Sequence, residues 1–231
     1  MKDKPIIIPL DGIKEEEALS VAEEIKDYVW GVKLNDLLDL KGIEIIKKIK
    51  KLGLKVFADP KIKDIPSTVS NRIKHYDNAG ADLVTIFADG GIKMIEAAKR
   101  SAKECKVLVV SVLTSLSNDE CIAIYNKGVT EMVLKFADDA REAGADGIVC
   151  SPHELRLLHG NDKYDALLKV TPGIRPLWYS AKDDQSRVMP PKEALDNGAD
   201  LLVIGRPILK APDRIDALKA TLEEIKGLPG F

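Results

Sequence analysis

The chain has 231 residues, 45% of them hydrophobic and 31% charged, which supplies a sizeable core and excludes disorder as the main state. Its 35 basic and 37 acidic side chains leave a formal net charge of −2, so nothing draws it to a nucleic-acid backbone or an anionic membrane. At roughly 150 residues per domain, the length suits two small domains or one large core such as an α/β barrel of ~250 residues.

Short apolar runs alternate with amphipathic stretches along the whole chain. Pro5–Leu10 reads as a strand and Lys14–Asp27 as the helix after it. The pattern repeats with Trp30–Leu34 and Lys41–Lys51, Leu54–Ala58 and Ser67–Ala79, Asp82–Phe87 and Ile92–Lys103, then Lys106–Leu113 and Thr130–Ala143. Strands at Gly147–Cys150, Leu167–Thr171 and Leu201–Ile204, with a helix at Lys192–Asn197, complete the series. Sustained alternation predicts a parallel sheet covered by helices, and eight strands in this length predict that the sheet closes. The fold class expected is α/β, a single (β/α)8 TIM barrel spanning residues 1–231.

An internal repeat supports this. Ala79-Gly-Ala-Asp82, Ala143-Gly-Ala-Asp146 and Asn197-Gly-Ala-Asp200 each precede a strand, with a glycine suited to the left-handed position after a helix. Such handovers lie at the bottom of a barrel and serve stability. No linker divides the chain. The longest poorly periodic stretch, Pro172 to Pro191, has the character of a functional loop.

Three widely spaced cysteines, Cys105, Cys121 and Cys150, form no disulfide or zinc pattern and fit a reducing compartment. The apolar run Pro5–Leu10 is too short for a signal sequence and no run approaches the ~20 residues of a membrane span, so a cytoplasmic protein is expected. His75, His153 and His159 lack metal-site spacing, and Trp178 and Met189 read as packing groups. Gly90-Gly91 is a loop into a helix and matches no nucleotide-binding motif.

In a barrel of this kind the chemistry sits at the C-terminal ends of the strands. The polar residues there are Asp11, then Lys33 and Asn35, then Asp59-Pro-Lys61-Ile-Lys-Asp64-Ile-Pro66, Thr114-Ser115, Thr171-Pro-Gly-Ile-Arg-Pro176 and Gly205-Arg206. Asp59 and Lys61 are two apart and share a strand face, with Lys33 expected on the neighbouring strand. Such an ion cluster is costly to bury unless well paired, and points to function. Asp64 also suits the cap region of a helix that begins at Pro66, and either lysine alone could extend to solvent.

Asp59-Pro-Lys61-Ile-Lys-Asp64-Ile-Pro66 resembles the D-x-K-x-x-D-I-P signature of the orotidine 5′-phosphate decarboxylase family. Gly31-Val-Lys33, Leu113-Thr-Ser115, Thr171-Pro-Gly-Ile-Arg-Pro176, Asp184-Gln185-x-Arg187 and Ile204-Gly-Arg206-Pro extend the likeness in order along most of the chain. The resemblance implies decarboxylation of orotidine monophosphate to uridine monophosphate with no metal or cofactor. Lys61 would donate a proton to C6, and Asp59 would lie against the departing carboxylate and orient Lys33 and Lys61. Asp64 would complete an alternating Lys-Asp-Lys-Asp array, and it and Thr68 would come from the second subunit of a homodimer. Asp11 and Lys33 would hold ribose hydroxyls and Ser115 the pyrimidine edge. Pro172, Gln185, Gly205 and Arg206 would complete the substrate site, the last three around the phosphate. Phe87 stands where many relatives carry histidine, and Leu177-Trp-Tyr-Ser-Ala-Lys-Asp-Asp184 is bulkier than the usual lid.

Two rivals follow. Magnesium-dependent hexulose-phosphate synthase and ketogulonate-phosphate decarboxylase share D-x-K-x-x-D but carry a metal-binding glutamate where this chain has Lys33. A non-catalytic nucleotide- or phosphate-binding barrel would need Arg206 and the lid, without Asp59 or Lys61.

Overall fold

The structure, a computed structural model, describes residues 4–180 and 188–228. From the N-terminus it runs β1 (Ile6–Pro9), α1 (Glu15–Ile25), β2 (Gly31–Leu34), α2 (Asp36–Lys41), α3 (Glu44–Lys51), β3 (Lys55–Ile62) and α4 (Pro66–Ala79). It continues with β4 (Leu83–Phe87), α5 (Ile92–Ser101), β5 (Lys106–Val110), α6 (Asn118–Tyr125), α7 (Val129–Glu142), β6 (Gly147–Val149) and α8 (Leu155–Leu158). The last elements are β7 (Leu168–Thr171), α9 (Pro191–Asp196), β8 (Leu201–Val203), α10 (Arg206–Leu209) and α11 (Arg214–Ile225). Every strand pairs in parallel with its sequence neighbour, and β1 also pairs with β8, closing an eight-stranded barrel. Every apolar run read as a strand forms one. β3 runs four residues further than expected, and α6 and α11 fall in segments whose apolar spacing is weak. The Ser117–Glu120 capping box is the sequence signal that marks the start of α6.

Strand alternation sorts the side chains into two cores. Outward-facing Ile6, Ile8, Val32, Val56, Ala58 and Val84 pack under the helices, which present complementary apolar faces such as Ile45, Ile46 and Ile49 of α3. Inward-facing Ile7, Phe57, Leu83, Leu108, Val170 and Leu201 fill the barrel itself. Above this core the next inward residues are polar on β3 and β4, Asp59 and Thr85, and apolar on β5, β6 and β8, Val110, Val149 and Val203.

The repeated Gly-Ala-Asp units account for the bottom of the barrel. Gly80, Gly144 and Gly198 have φ of 91°, 72° and 98°, a left-handed turn that strains any residue with a Cβ. The aspartate two residues on then caps the strand before it. Asp82 accepts from Val56 N–H at 2.8 Å, Asp146 from Val107 N–H at 2.8 Å and Asp200 from Lys169 N–H at 2.8 Å. Each carboxylate accepts an N–H at the entering end of β3, β5 or β7. Lys99 holds Asp146 from α5 with bonds of 2.6 and 2.8 Å.

All three cysteines are buried, and no disulfide joins them. Burial pushes the Cys105 and Cys150 thiols up to about 12, so neither is a nucleophile at neutral pH. Among the described residues no helix is long and apolar enough to cross a membrane.

Replacing Asp146 by Ala strands the Val107 N–H and should destabilise the fold by about 1–3 kcal/mol. For a chain of this size, that lowers the thermal midpoint by about 2–4 °C per kcal/mol. Asp146→Asn, which keeps an acceptor, should lose less; an unchanged midpoint in Asp146→Ala would contradict the capping role.

Candidate active site

The C-terminal ends of the strands open into a cavity of about 420 Å³. Its inner surface is apolar, formed by Phe57, Val110, Val149 and Val203, and its charged groups come from two places. Asp11, Lys33, Asp59 and Lys61 belong to the β1–β3 side. Arg175 and Arg206 follow β7 and β8.

The β1–β3 cluster is built around one carboxylate. Asp59 is 5% exposed, on the inward face of β3 two residues beyond the core residue Phe57. Its Oδ2 lies 2.7 Å from Lys61 Nζ and 3.2 Å from Lys33 Nζ. Lys33 Nζ also reaches Asp11 Oδ2 at 2.7 Å, so the charges alternate as Asp11, Lys33, Asp59, Lys61. The register of β2 with β3 sets Lys33 opposite Phe57, which brings its side chain up beside Asp59.

The other Asp59 oxygen is held from β4. Thr85, fully buried, donates its hydroxyl to Asp59 Oδ1 at 2.8 Å and accepts the Lys61 N–H at 3.0 Å. This happens because β3 and β4 slip in register between Ala58 and Ile62, and Lys61 takes a left-handed φ of 44°. Such a backbone costs of order 1–3 kcal/mol for a residue with a Cβ and persists only where surrounding bonds hold it. Asn35 adds a bond from Nδ2 to the Asp59 carbonyl at 2.6 Å.

Burial disfavours the Lys33 ammonium, but Asp59 and Asp11 outweigh it and raise Lys33 above the ordinary lysine value. Its contribution to stability is therefore complete below the unfolded-state value and lost as pH rises through the higher folded one.

Not every expected residue joins this cavity. Asp11, Lys33, Asp59, Lys61, Pro172, Gly205 and Arg206 line it. Ser115 does not: the chain turns after Leu113 so that Thr114 lines the cavity, while Ser115 lines a neighbouring cleft with Ser117 and Asn118. Asp64 is exposed and binds its own chain at the Ile65 N–H, 2.7 Å away, and Thr68 lies on α4; neither lines the cavity. The helix starts at Pro66 as expected, yet its N-cap is Ile65 and Asp64 makes no cap bond to it. Gln185 lies outside the described residues. Sequence reasoning passed over Thr85 and gave Arg175 no role. Thr85 is the one hydroxyl in the run Leu83–Phe87, on the same face as Leu83, but its spacing alone does not reveal its partners.

The segment after β7 is fastened to α11. Glu224 accepts the Leu177 N–H at 2.9 Å, and the Trp178 indole N–H donates to Thr221 at 3.3 Å. Trp178, expected as a packing group, is tied to α11 by this bond yet leaves 38% of its surface exposed. The Arg175 guanidinium lies 5.9 Å from the Tyr179 ring centre. Among the described residues no group of three or more His, Cys, Asp or Glu side chains is placed to hold a metal ion.

A titration of the Lys33 Nζ followed by NMR should place its deprotonation above the ordinary 10.5, and lower in Asp59→Asn than in the parent. Deprotonation at or below 10.5 in the parent would contradict the pairing.

The geometry agrees with comparisons to known proteins. Residues 4–221 match the model of the orotidine 5′-phosphate decarboxylase / HUMPS family. The chain is 38% identical over 233 residues to an orotidine 5′-phosphate decarboxylase of Carboxydothermus hydrogenoformans, covering 96% of each. It is 40% identical over 236 residues to that of Lactobacillus acidophilus, covering 97% of this chain and 98% of the relative. The crystal structure of the Lactobacillus acidophilus enzyme superposes with a TM-score of 0.82 at 35% identity, covering 97% of this chain and 100% of that one. Orotidine 5′-phosphate decarboxylase from Pyrococcus horikoshii OT3 gives 0.77 at 26% identity, covering 96% and 100%. With its barrel, its Asp59–Lys61 pair and these relatives, the chain belongs to the orotidine 5′-phosphate decarboxylase / HUMPS family.

Proposed function

We propose that this chain decarboxylates orotidine 5′-phosphate to uridine 5′-phosphate and carbon dioxide, the last step of de novo pyrimidine nucleotide synthesis. The observation that carries this reading is the single Asp59 oxygen shared by the Lys33 and Lys61 ammonium groups inside a family-typical barrel.

The reaction breaks the bond between pyrimidine C6 and its carboxylate, leaving the electron pair on C6. That carbanion has no internal electron sink and must be stabilised electrostatically, then protonated. Lys61 supplies both needs: its ammonium faces the developing charge, and it transfers a proton to C6. Asp59 keeps that ammonium oriented, and its own charge faces the substrate carboxylate. Two unit charges ~4 Å apart repel by ~4 kcal/mol at an effective dielectric of 20, a stress relieved as carbon dioxide leaves. Asp11 and Lys33 bind ribose hydroxyls. The pyrimidine edge falls to the Thr114 side of the β5 loop, with Ser115 one residue beyond the cavity. Arg206 and the Gly205 turn receive the phosphate, with Arg175 and Pro172 beside them and Gln185 as the lid contact.

Lys33 separates this reading from magnesium-dependent chemistry on the same barrel. A divalent cation at Asp59 would meet two ammonium groups already within 3.2 Å of the oxygen it needs. The strained Lys61 backbone, held by Thr85, opposes a barrel that merely binds nucleotides, because phosphate binding makes no demand on it.

The second subunit enters through Asp64. It is exposed, far from satisfying the charge array of its own chain, and its neighbour Ile65 leaves 64% of its surface open. A second copy docked over this edge would cover Ile65 and deliver Asp64 and Thr68 to the opposite site, in a cytoplasmic homodimer.

Purified protein treated with EDTA should convert orotidine monophosphate at the untreated rate; loss of turnover restored by magnesium would favour the rival chemistry. Mixing inactive Lys61→Ala and Asp64→Asn dimers should regain activity, up to about a quarter of the parent's if one intact hybrid site forms per mixed dimer. No recovery despite demonstrated subunit exchange would refute the shared site.

A further inference from the structure

Thr85 belongs to none of the roles above, yet it touches two of the groups on which they depend. We infer that Thr85 is a positioning residue for decarboxylation, its hydroxyl fixing both the Asp59 carboxylate and the backbone that aims Lys61. The inference rests on the decarboxylase reading of this cavity.

β3 slips in register on β4. Between Ala58 and Ile62 the regular ladder is lost, so the Lys61 N–H needs another acceptor. Thr85 Oγ1 provides it at 3.0 Å. Having accepted there, the hydroxyl spends its one proton on Asp59 Oδ1, 2.8 Å away. An N–H donor cannot accept the first bond and a carbonyl or carboxylate cannot donate the second; a hydroxyl does both.

Direction follows from this order. Held at Oδ1 by Thr85, the Asp59 carboxylate turns its Oδ2 to Lys61 and Lys33, at 2.7 and 3.2 Å. The same hydroxyl holds Lys61 in its left-handed backbone, so carboxylate and ammonium, both on β3, are aimed by one atom on β4. Thr85 is itself rigid: its side chain is fully buried and β-branched, which restricts χ1. It lies below the cavity and does not line it, which separates its role from substrate contact.

The test compares Thr85→Val, which keeps the shape and removes the hydroxyl, with Thr85→Ser, which keeps the hydroxyl. Turnover of orotidine monophosphate is measured beside the affinity and stoichiometry of uridine monophosphate binding, which counts intact sites. In Thr85→Val, kcat should fall by roughly 10²-fold, the scale of a 1 Å misplacement of reacting groups. Nucleotide affinity and site number should be unchanged, and Thr85→Ser should stay within about tenfold of the parent. If Thr85→Val does not fold, Thr85→Ser against Thr85→Cys makes the same comparison, a good donor against a weak one. The role is overturned if Thr85→Val, or Thr85→Cys in its place, keeps the parent kcat. It is equally overturned if kcat falls only in proportion to lost binding sites, or if Thr85→Ser is as impaired as Thr85→Val. A parent chain that binds uridine monophosphate without turning over orotidine monophosphate overturns the decarboxylase reading and this role with it; an active parent with an unimpaired Thr85→Val overturns the role alone.

Discussion

One carboxylate oxygen at the mouth of the barrel, Asp59 Oδ2, is shared by two ammonium groups, and the upper half of the molecule is arranged around that fact. Burying these charges costs several kcal/mol per ion unless each is paired and its remaining valences are met. Here they are. Lys33 finds a second carboxylate in Asp11, Asp59 finds a third donor in Thr85, and the Asp59 carbonyl takes the Asn35 amide. Neighbouring strands β2, β3 and β4 each contribute, with Asp11 following β1. Loss of any one member deprives another of a partner.

The barrel reaches this arrangement by dividing labour along its axis. At the bottom, Asp82, Asp146 and Asp200 cap the entering strands, and the inward residues are apolar and packed. At the top, the same inward face carries Asp59, Thr85 and Lys61 two and four residues further on. The transition is sharp because strand alternation keeps one face inward throughout. A chemically demanding site is thus mounted on a core that does not depend on it, and the left-handed backbone at Lys61 lies at the boundary.

This division also explains what the sequence discloses. Apolar runs, left-handed glycines and the Gly-Ala-Asp repeat are local signals, so strands and closure were readable without tertiary knowledge. Asp59 and Lys61 were readable because period two is fixed within a strand. Thr85 was not singled out, since its importance arises from a register slip between β3 and β4, a non-local event that no spacing encodes. Ser115 illustrates a finer limit: the run Lys106–Leu113 marked the strand, but β5 ends at Val110 and the turn presents Thr114 instead. α6 and α11 escaped detection because their apolar faces are narrow, although the Ser117–Glu120 cap was in plain view.

The proposed reaction depends most directly on Lys61 as the group that stabilises and protonates C6. Lys61→Ala should lower kcat for orotidine monophosphate by at least about 10⁴-fold, the upper range for a positioned general acid, while uridine monophosphate still binds. Turnover within tenfold of the parent in that variant would contradict it.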